Sequence, residues 1–189
     1  MKKRLFLSTV AMAVTLASAG LSFAQDSTFK VGLILPMTGP FASTGKQIDA
    51  AVKLYLAQNG DTADGKKIQV ILKDDASTPD TTKRIAQELI VNDKVNVLAG
   101  FGLTPLAFAT APLATQSKTP MVVMAAATSS ITQASPYVVR TSFALPQAAV
   151  AIADWAPKNG IKKVVTLVSD FGPGLDAEKF FKDRFTFNG

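Results

Sequence analysis

The sequence contains neither cysteine nor histidine among its 189 residues. Without cysteine the chain has no disulfide, no thiolate nucleophile and no processed N-terminal cysteine that could carry a lipid. Without histidine it lacks the commonest general base and the commonest metal ligand. Many catalytic and metal-binding arrangements are thereby excluded, and we predict no catalytic residue, no metal site and no cofactor.

A strong charge of one sign is also missing once the first residues are set aside. The formal net charge of +6 includes Lys2, Lys3 and Arg4, and the other lysines and arginines are scattered rather than clustered in a stripe. Such a distribution is not typical of a surface that follows a phosphate backbone. The sequence therefore predicts no nucleic-acid partner.

The N-terminal residues have the order of a secretory signal peptide. Lys2, Lys3 and Arg4 precede an apolar run over residues 5–21, and the small-residue stretch Ser22-Phe23-Ala24 follows it. A membrane anchor is the alternative, but serine, threonine and glycine residues dilute the apolar run. We predict a signal peptide over residues 1–24, cleaved after Ala24.

Short apolar runs alternate with segments of helical periodicity along the rest of the chain. Helices are predicted through 48–59, 79–90, 105–118, 148–155 and 175–185, and strands over 29–35, 67–73, 95–99, 120–124, 137–142 and 163–168. This alternation predicts an α/β fold with a doubly wound parallel sheet, right-handed crossovers and helices on both faces. Ligands of such sheets bind beyond the carboxyl ends of the strands.

The stretch from Val95 to Pro105 is the most informative strand end. A run rich in Val and Leu meets Gly100 and Gly102, and the pair Thr104-Pro105 then favours a helix start. Thr104 is predicted as the N-cap and Pro105 as the first helical residue, so that unpaired backbone N–H groups point outward. This corner suits an anion, although most corners of this kind in α/β domains bind nothing.

Three other motifs match phosphate chemistry only in part. Five residues separate Gly39 from Gly45, whereas a phosphate loop has four at that place. Gly100-Phe101-Gly102 lacks the third glycine of a dinucleotide fingerprint. Asp74-Asp75 matches the acidic pair of a receiver domain, but a secreted chain has no ready phosphodonor, which favours a solvated loop at a helix start.

The strand-end loops share a chemistry that favours binding over catalysis. Hydroxyls, exposed backbone and one aromatic ring can hold a small carboxylate without reacting with it. Asp170 and Asp176 are not interpreted as a carboxylate pair, because Asp176 is expected in the first turn of a helix, where an acid is common. The residues that carry the binding chemistry are Thr44, Gly102, Thr104, Ala126, Thr128 and Phe171.

Taken in order, the motifs resemble the periplasmic solute-binding proteins of ABC transporters for branched-chain amino acids. The resemblance covers the whole mature chain and is closest to the branch that handles amino acids, amides and aromatic acids. It implies a type I fold of two doubly wound lobes with the solute trapped between them. It also implies a non-catalytic periplasmic protein that delivers a small carboxylate to a membrane permease. The motifs are Val31 to Gly45, Asp74-Asp75-Ala76, Gly100 to Pro105, Ala126 to Ser130, Tyr137 to Ser142 and Asp170-Phe171-Gly172.

The resemblance also implies which residues bind the solute. Thr104 matches the family's hydroxyl that holds the carboxylate, with the backbone of Gly102 and Leu103 nearby. Residues 126–128 match a second carboxylate clamp, in which Ala127 is an alternative because the spacing differs by one residue. Thr44 falls where the family often has an aromatic ring over the solute's side chain, and Phe171 falls where it often has tyrosine; both departures bear on the solute's identity. The predicted set is Thr44, Gly102, Leu103, Thr104, Ala126, Ala127, Thr128 and Phe171.

The same resemblance assigns residues 25–136 to lobe one, 137–143 to a hinge strand and 144–189 to the beginning of lobe two. The segments that finish lobe one, and the acid that pairs with an amino-acid ammonium, are not reached. The sequence is therefore interpreted as a truncated or frameshifted copy with exposed apolar surface and without high-affinity binding. The alternative is a self-contained secreted α/β domain that acts as an enzyme or as a sensor or receiver-like module.

Overall fold

The computed structural model describes residues 28–187, so the predicted signal peptide lies outside the described residues. Strands and helices alternate along this part of the chain, as predicted. The elements are β1 (Thr28–Leu35), α1 (Ala42–Asn59), β2 (Thr62–Ala63), β3 (Lys66–Asp74), α2 (Pro79–Val91), β4 (Val97–Gly100), α3 (Thr104–Ser117), β5 (Met121–Val123), a 3-10 turn (Ser129–Gln133), β6 (Val138–Arg140), α4 (Leu145–Lys158) and α5 (Gly172–Phe187).

The strands form one sheet in the order β2-β3-β1-β4-β5-β6. All neighbours pair in parallel except β2, which runs antiparallel to β3. The chain leaves β1 toward β3 and then passes back to β4 on the other side, so the direction of winding reverses between β1 and β4. The predicted doubly wound, mostly parallel sheet is confirmed. We call residues 28–140 the sheet unit.

The core of the sheet unit is divided between the two faces of the sheet. Ile34 and Leu98 belong to a cluster with the apolar residues of α2 and α3, whereas Leu33, Leu35 and Ala99 pack with Ile48 and Val52 of α1. Successive residues of a strand point to opposite faces, so a strand covered on both sides must be apolar throughout. This explains why the sequences of β1 and β4 are continuous apolar runs.

Glycine and proline set several helix ends where the sequence predicted them. α1 ends at Asn59, and Gly60 follows with φ +81°. α2 begins at Pro79, and Pro112 lies inside α3 without ending it. Within residues 28–187, none of the helices combines the length and the apolar character needed to cross a bilayer.

The predicted strand over residues 163–168 is wrong, because these residues join no sheet in the described chain. Val165 and Leu167 are 99% exposed. A strand is stabilised by the hydrogen bonds of a neighbouring strand, and here no neighbour is present among the described residues. Residues 162–170, which we call the connecting segment, therefore remain irregular.

The last two helices, α4 and α5, pack mainly on each other, and we call them the helix pair. Both are longer than predicted. The final helix packs on α4 rather than on a sheet. Arg184 of α5 donates from Nε to Asp154 Oδ1 of α4 (2.5 Å) and from a terminal nitrogen to Oδ2 (3.1 Å).

The predicted lobe boundaries at 25–136, 137–143 and 144–189 stay a prediction. Within the predicted hinge strand, Val138–Arg140 forms β6 and pairs with β5 at the edge of the sheet. The prediction that this segment is a strand is thus confirmed. The Thr141 N–H continues the pairing with β5 by donating to Val123 O (3.0 Å).

Candidate functional site

The carboxyl ends of β1 and β4 meet where the winding of the sheet reverses, which is the usual ligand position in such folds. Gly100 ends β4 with φ +115°, and a Cβ there would lie 2.0 Å from the Ile34 carbonyl oxygen. Only glycine permits this approach. Phe101 then turns into the core, fully buried, and its N–H donates to Ile34 O (3.1 Å). Residues 100–104, the β4 corner, are thereby fixed beyond β1.

The start of α3 differs from the prediction for Thr104. Leu103 is the N-cap and Thr104 is the first helical residue, so the predicted N-cap is wrong. The Thr104 hydroxyl does not turn back to the helix because it bonds the Thr128 hydroxyl instead, at 2.8 Å between the two oxygens. Both side chains are buried. We call Thr104 and Thr128 the threonine pair.

Backbone donors remain unpaired at the β4 corner. In the part of the chain that the structure describes, the N–H groups of Gly102, Leu103 and Thr104 donate to no protein acceptor. Such groups at a helix N-terminus carry positive partial charge and favour an anion. This part of the sequence prediction is retained, although the capping residue changes.

The residues that follow β5, 124–129, form a second corner joined to the first. Met124 N–H donates to Gly100 O (2.8 Å), and Ala126 N–H donates to Phe101 O (3.1 Å). The Ala126 N–H is therefore already paired within the protein. In the predicted second clamp, the backbone N–H groups that remain to bind a solute are those of Ala127 and Thr128. A terminal nitrogen of Arg140 donates to Thr128 O (2.7 Å), which ties this β5 corner to β6.

The start of α5 lies over the threonine pair. A Cβ at Gly172 would lie 3.0 Å from Thr104 Cγ2 and 3.1 Å from Thr128 Oγ1. The preceding residue, Phe171, is 38% exposed. The structure thus brings the predicted residues Thr104, Thr128 and Phe171 to one place, although they come from three separate loops.

Thr44 is linked to this place only indirectly. It lies in the first turn of α1, and a Cβ on the adjacent Gly45 would lie 2.3 Å from Pro36 O. A Cβ at Gly102 would lie 2.8 Å from the ring of the same proline. Pro36 therefore stands between the Thr44 turn and the β4 corner.

Asp176 makes a contact that the sequence did not reveal. Ser129 donates to it twice, from N–H to Oδ2 (2.9 Å) and from Oγ to Oδ1 (2.7 Å). Because α5 begins at Gly172, Asp176 lies beyond the first helical turn, and its predicted place there is wrong. Its carboxylate instead accepts hydrogen bonds at the start of the 3-10 turn. The two residues are 47 positions apart, so no local pattern could indicate the contact.

Ser142 is a further candidate that the sequence prediction used only as part of a strand. It follows β6 at the same edge of the sheet, and its Oγ is buried without a hydrogen-bond partner in the described chain. A buried hydroxyl without a partner is uncommon in folded proteins. A hydroxyl residue directly after a strand end was the available signal.

Asp74 holds the loop that follows β1. It accepts hydrogen bonds from the N–H groups of Met37 and Ala76 (2.9 Å each) and from both the N–H (3.3 Å) and the hydroxyl (2.7 Å) of Thr38. Burial raises the pKa of Asp74, but these hydrogen bonds lower it more, so that it lies below its ordinary value. Asp74 thus has a structural role in the loop that follows β1.

Asp75 is fully buried, so the predicted solvated loop at Asp74-Asp75 is wrong. Its Oδ1 accepts the Ser77 N–H (2.9 Å), and its Oδ2 has no partner among the described residues. Burial raises the pKa of Asp75 above its ordinary value, against the opposing effect of Ser77 and Thr82. Within residues 28–187 no cluster of three metal-ligating side chains occurs.

Comparisons with known proteins agree with this geometry. A family model described as periplasmic binding protein matches residues 28–189. The Leu/Ile/Val-binding protein homolog 6 of Brucella abortus is 45% identical over 188 residues, which are 99% of this chain and 47% of that protein. The chain thus spans about half the length of this relative.

Two solved structures of solute binding proteins of ABC transporters are also similar. One, from Rhodopseudomonas palustris BisB5 in complex with 3,4-dihydroxybenzoic acid, is 70% identical with a TM-score of 0.85, over 86% of this chain and 45% of that one. The other, from R. palustris in complex with 4-hydroxybenzoate, is 46% identical with a TM-score of 0.83, over 86% and 44%.

Proposed function

This chain belongs to the family of periplasmic binding proteins, and we propose on that premise that it captures a small carboxylate solute outside the cytoplasm for an ABC importer. The observation that carries the proposal is the threonine pair, Thr104 and Thr128, which lies beside unpaired backbone donors and under the start of α5. The proposal includes a membrane permease as partner and a periplasmic location. The permease and the location are what the resemblance to solute-binding proteins of ABC transporters implies.

The chemistry of the pair suits a carboxylate. Two hydroxyls share one hydrogen bond, so one hydroxyl hydrogen is used between them and the other is free to donate. The N–H groups of Gly102, Leu103 and Thr104 add neutral donors at the N-terminus of α3. Neutral donors together with the helix dipole bind an anion without a formal counter-charge.

Among carboxylates, we propose an aromatic acid rather than an amino acid. The relative that is 70% identical holds 3,4-dihydroxybenzoic acid, and the one that is 46% identical holds 4-hydroxybenzoate. Phe171 directly precedes Gly172, whose Cβ position lies 3.0 Å from Thr104 Cγ2 and 3.1 Å from Thr128 Oγ1, and an aromatic side chain near a solute ring can stack on it.

We also propose that the chain is not an enzyme. The hydroxyl of Thr104 is bonded to another hydroxyl and not to a base that could activate it. Asp75, the acid that a receiver-like domain would phosphorylate, is fully buried. A hydroxyl that no base activates does not attack a bound solute, but it can still donate a hydrogen bond to it and release it again.

The test measures binding by ligand-observed NMR with 4-hydroxybenzoate and with the neutral 4-hydroxybenzamide. Because the chain spans about half of its relatives, we expect a dissociation constant on the order of 1 mM for the acid and weaker binding of the amide. Thr104→Val should weaken acid binding about three- to tenfold, the value of one hydrogen bond.

Thr110→Val is the matched control. Thr110 lies in the same helix, is equally buried, and donates to Leu106 O within the helix (3.1 Å) rather than to the corner. Its substitution should leave the dissociation constant unchanged. Equal binding of acid and amide, or equal effects of the two valine variants, would overturn the proposal.

A further inference from the structure

The hydroxyl of Thr128 is not used where its position in the chain would place it. Thr128 is the N-cap of the 3-10 turn Ser129–Gln133, yet its side chain makes no capping hydrogen bond. Threonine at an N-cap ordinarily accepts an N–H of the turn that follows. Here the hydroxyl bonds Thr104 instead, so the turn and the threonine pair compete for one side chain.

Asp176 of α5 supplies the turn with a different acceptor. Its Oδ2 accepts the Ser129 N–H (2.9 Å), and its Oδ1 accepts the Ser129 hydroxyl (2.7 Å). Both are charge-assisted hydrogen bonds, which are stronger than bonds between neutral groups. In the part of the chain that the structure describes, the Asp176 carboxylate forms no ion pair, and Ser129 is its only hydrogen-bond partner. The first residue of the turn is thus held from α5, which leaves the Thr128 hydroxyl to the threonine pair.

One peptide group transmits this hold to Thr128. The N–H of the peptide that joins Thr128 to Ser129 donates to Asp176. Its carbonyl oxygen accepts from the Arg140 guanidinium (2.7 Å) and from the Ile131 N–H (3.3 Å). Because a peptide group is planar, hydrogen bonds at its two ends fix the orientation of the whole plane. The allowed rotamers of a side chain depend on its own backbone angles, so the plane also limits where the Thr128 hydroxyl points.

The two charged groups on this peptide come from different parts of the molecule. Arg140 belongs to β6 of the sheet unit, whereas Asp176 belongs to the helix pair. The start of α5 lies over the threonine pair, since a Cβ at Gly172 would lie 3.0 Å from Thr104 Cγ2. Of the three groups that hold the peptide, the Asp176 carboxylate is therefore the one that depends on the position of α5.

We infer that Asp176 is a positioning residue for solute binding, an inference that rests on the proposed carboxylate site. By holding Ser129 it directs the Thr128 hydroxyl toward Thr104, so the threonine pair is complete only while α5 lies over the β4 corner. Asp176 acts on the solute through Thr128 and needs no contact with it. Binding of the carboxylate and seating of α5 therefore favour each other to the same extent, as linked equilibria must.

The first experiment needs no solute. Three-bond NMR couplings to the Thr128 methyl carbon report how its side chain populates the staggered rotamers. We expect one rotamer in the unsubstituted chain and an average of rotamers in Asp176→Asn, because an amide offers one acceptor oxygen where the carboxylate offers two. Asp183→Asn is the matched control. Its carboxylate lies on the same helix but pairs with Lys179, so the Thr128 couplings should stay unchanged.

The second experiment is a double-mutant cycle on the dissociation constant of 4-hydroxybenzoate, measured by ligand-observed NMR. Asp176→Asn should raise the constant about three- to tenfold, the value of one hydrogen bond. In a Thr104→Val background the same substitution should raise it less than about twofold, since the hydroxyl toward which Thr128 is directed is already gone. A purely structural role of Asp176 would instead give independent effects that add.

Ser129→Ala removes one of the two hydrogen bonds from the other side and should change the Thr128 rotamers in the same direction, by a smaller amount. Thr128 couplings that are unchanged in Asp176→Asn, or that change equally in Asp183→Asn, would overturn the inference. A loss of affinity that adds fully to that of Thr104→Val would overturn it as well. Equal binding of acid and amide would overturn the proposed carboxylate site, a failure that the solute-free couplings separate from a failure of the Asp176 contact.

Discussion

The sheet unit and the helix pair come from similar sequence patterns but bury their apolar residues to different degrees. In the sheet unit large side chains such as Leu33, Ile34 and Leu98 are fully buried. The fully buried residues of α4 are alanines, while Ile152 and Trp155 are 58% and 57% exposed. In this chain the large apolar side chains are fully buried where the sheet supplies an opposing surface, and less so where one helix packs on another.

The difference bears on the site, because its two sides come from the two regions. The threonine pair and the unpaired donors belong to the sheet unit, whereas Gly172 and Asp176 belong to the helix pair, which Phe171 directly precedes. We therefore expect a rigid floor and a more mobile cover. Local stability in folded proteins varies in this way with buried contacts.

The largest expected effect comes from Gly100→Ala. The new Cβ would lie 2.0 Å from Ile34 O at a φ of +115°, and backbone atoms cannot move aside as a side chain can. We expect a loss of at least about 3 kcal/mol in the free energy of unfolding, or failure to fold. Urea denaturation followed by circular dichroism measures it.

Gly160→Ala is the matched control in the other region. Gly160 also has a positive φ (+79°), but nothing lies within 4 Å of its Cβ position. It should cost only about 1 kcal/mol, the penalty of the backbone conformation alone. Equal costs at the two glycines would show that the close packing of the β4 corner is not what holds the sheet unit.

Asp75→Asn should change the pH dependence of stability. The pKa of Asp75 is raised by burial, so its contribution is present below the unfolded pKa and is lost as pH rises through the folded one. The asparagine variant should therefore gain stability relative to the unsubstituted chain as pH rises over this range. Thermal unfolding between pH 3 and pH 8, which spans the ordinary carboxyl range, follows the change.

Asp74→Asn should behave in the opposite sense. Burial raises the pKa of Asp74, but its hydrogen bonds lower it further, to a net value below the ordinary one. Its contribution is present above the unfolded pKa and is lost as pH falls. The variant should be less stable at neutral pH and match the unsubstituted chain in acid. If both variants gained stability relative to the unsubstituted chain as pH rises, or if both lost it, the opposite environments assigned to Asp74 and Asp75 would be contradicted.

Asp176→Asn should loosen the cover without unfolding the sheet unit. Ser129 loses a charge-assisted acceptor for its N–H and hydroxyl, worth about 1–2 kcal/mol. Hydrogen exchange at the Ser129 amide should accelerate about tenfold. Asp183→Asn, on the same helix but paired only with Lys179 in the residues described, is the control. An unchanged Ser129 rate would show that the contact does not hold the cover.

The smallest effect is expected for Arg184→Met in the helix pair. Its partner Asp154 lies at 2.5 Å, and the two side chains are 40% and 30% exposed. Because both side chains are partly exposed, solvent screening leaves the pair only a small contribution to stability. Amide exchange in α4 should rise slightly while exchange in β1 stays constant. A matching rise in β1 would mean that the two regions unfold as one.

Local chemistry explains what the sequence could predict. Buried strands such as β1 and β4, the stop at Asn59-Gly60 and the start at Pro79 depend on neighbouring residues, and all are confirmed. The hydroxyl partner of Thr104 is 24 residues away. Periodicity carries no information on such a contact, which explains the wrong N-cap.

The failed strand at 163–168 has a different cause. Its residues have the composition of a strand, but pairing depends on a neighbour that the described chain does not provide. The predicted binding residues stay a prediction, although three of them, Thr104, Thr128 and Phe171, come together at one place. Thr104 and Thr128 were placed by their position after β4 and β5, which the fold determines, whereas the strand predicted before Phe171 does not form among the described residues.

The most direct measurement of the central claim is an amide NMR titration of the chain with 4-hydroxybenzoate. We predict saturable shifts at Gly102, Leu103, Thr104 and Thr128, with no comparable change along α2 or at Gly160. Loss of these shifts in Thr104→Val would accompany the weaker binding. Shifts that are absent, that never saturate, or that lie mainly on the connecting segment would contradict a carboxylate site at the β4 corner.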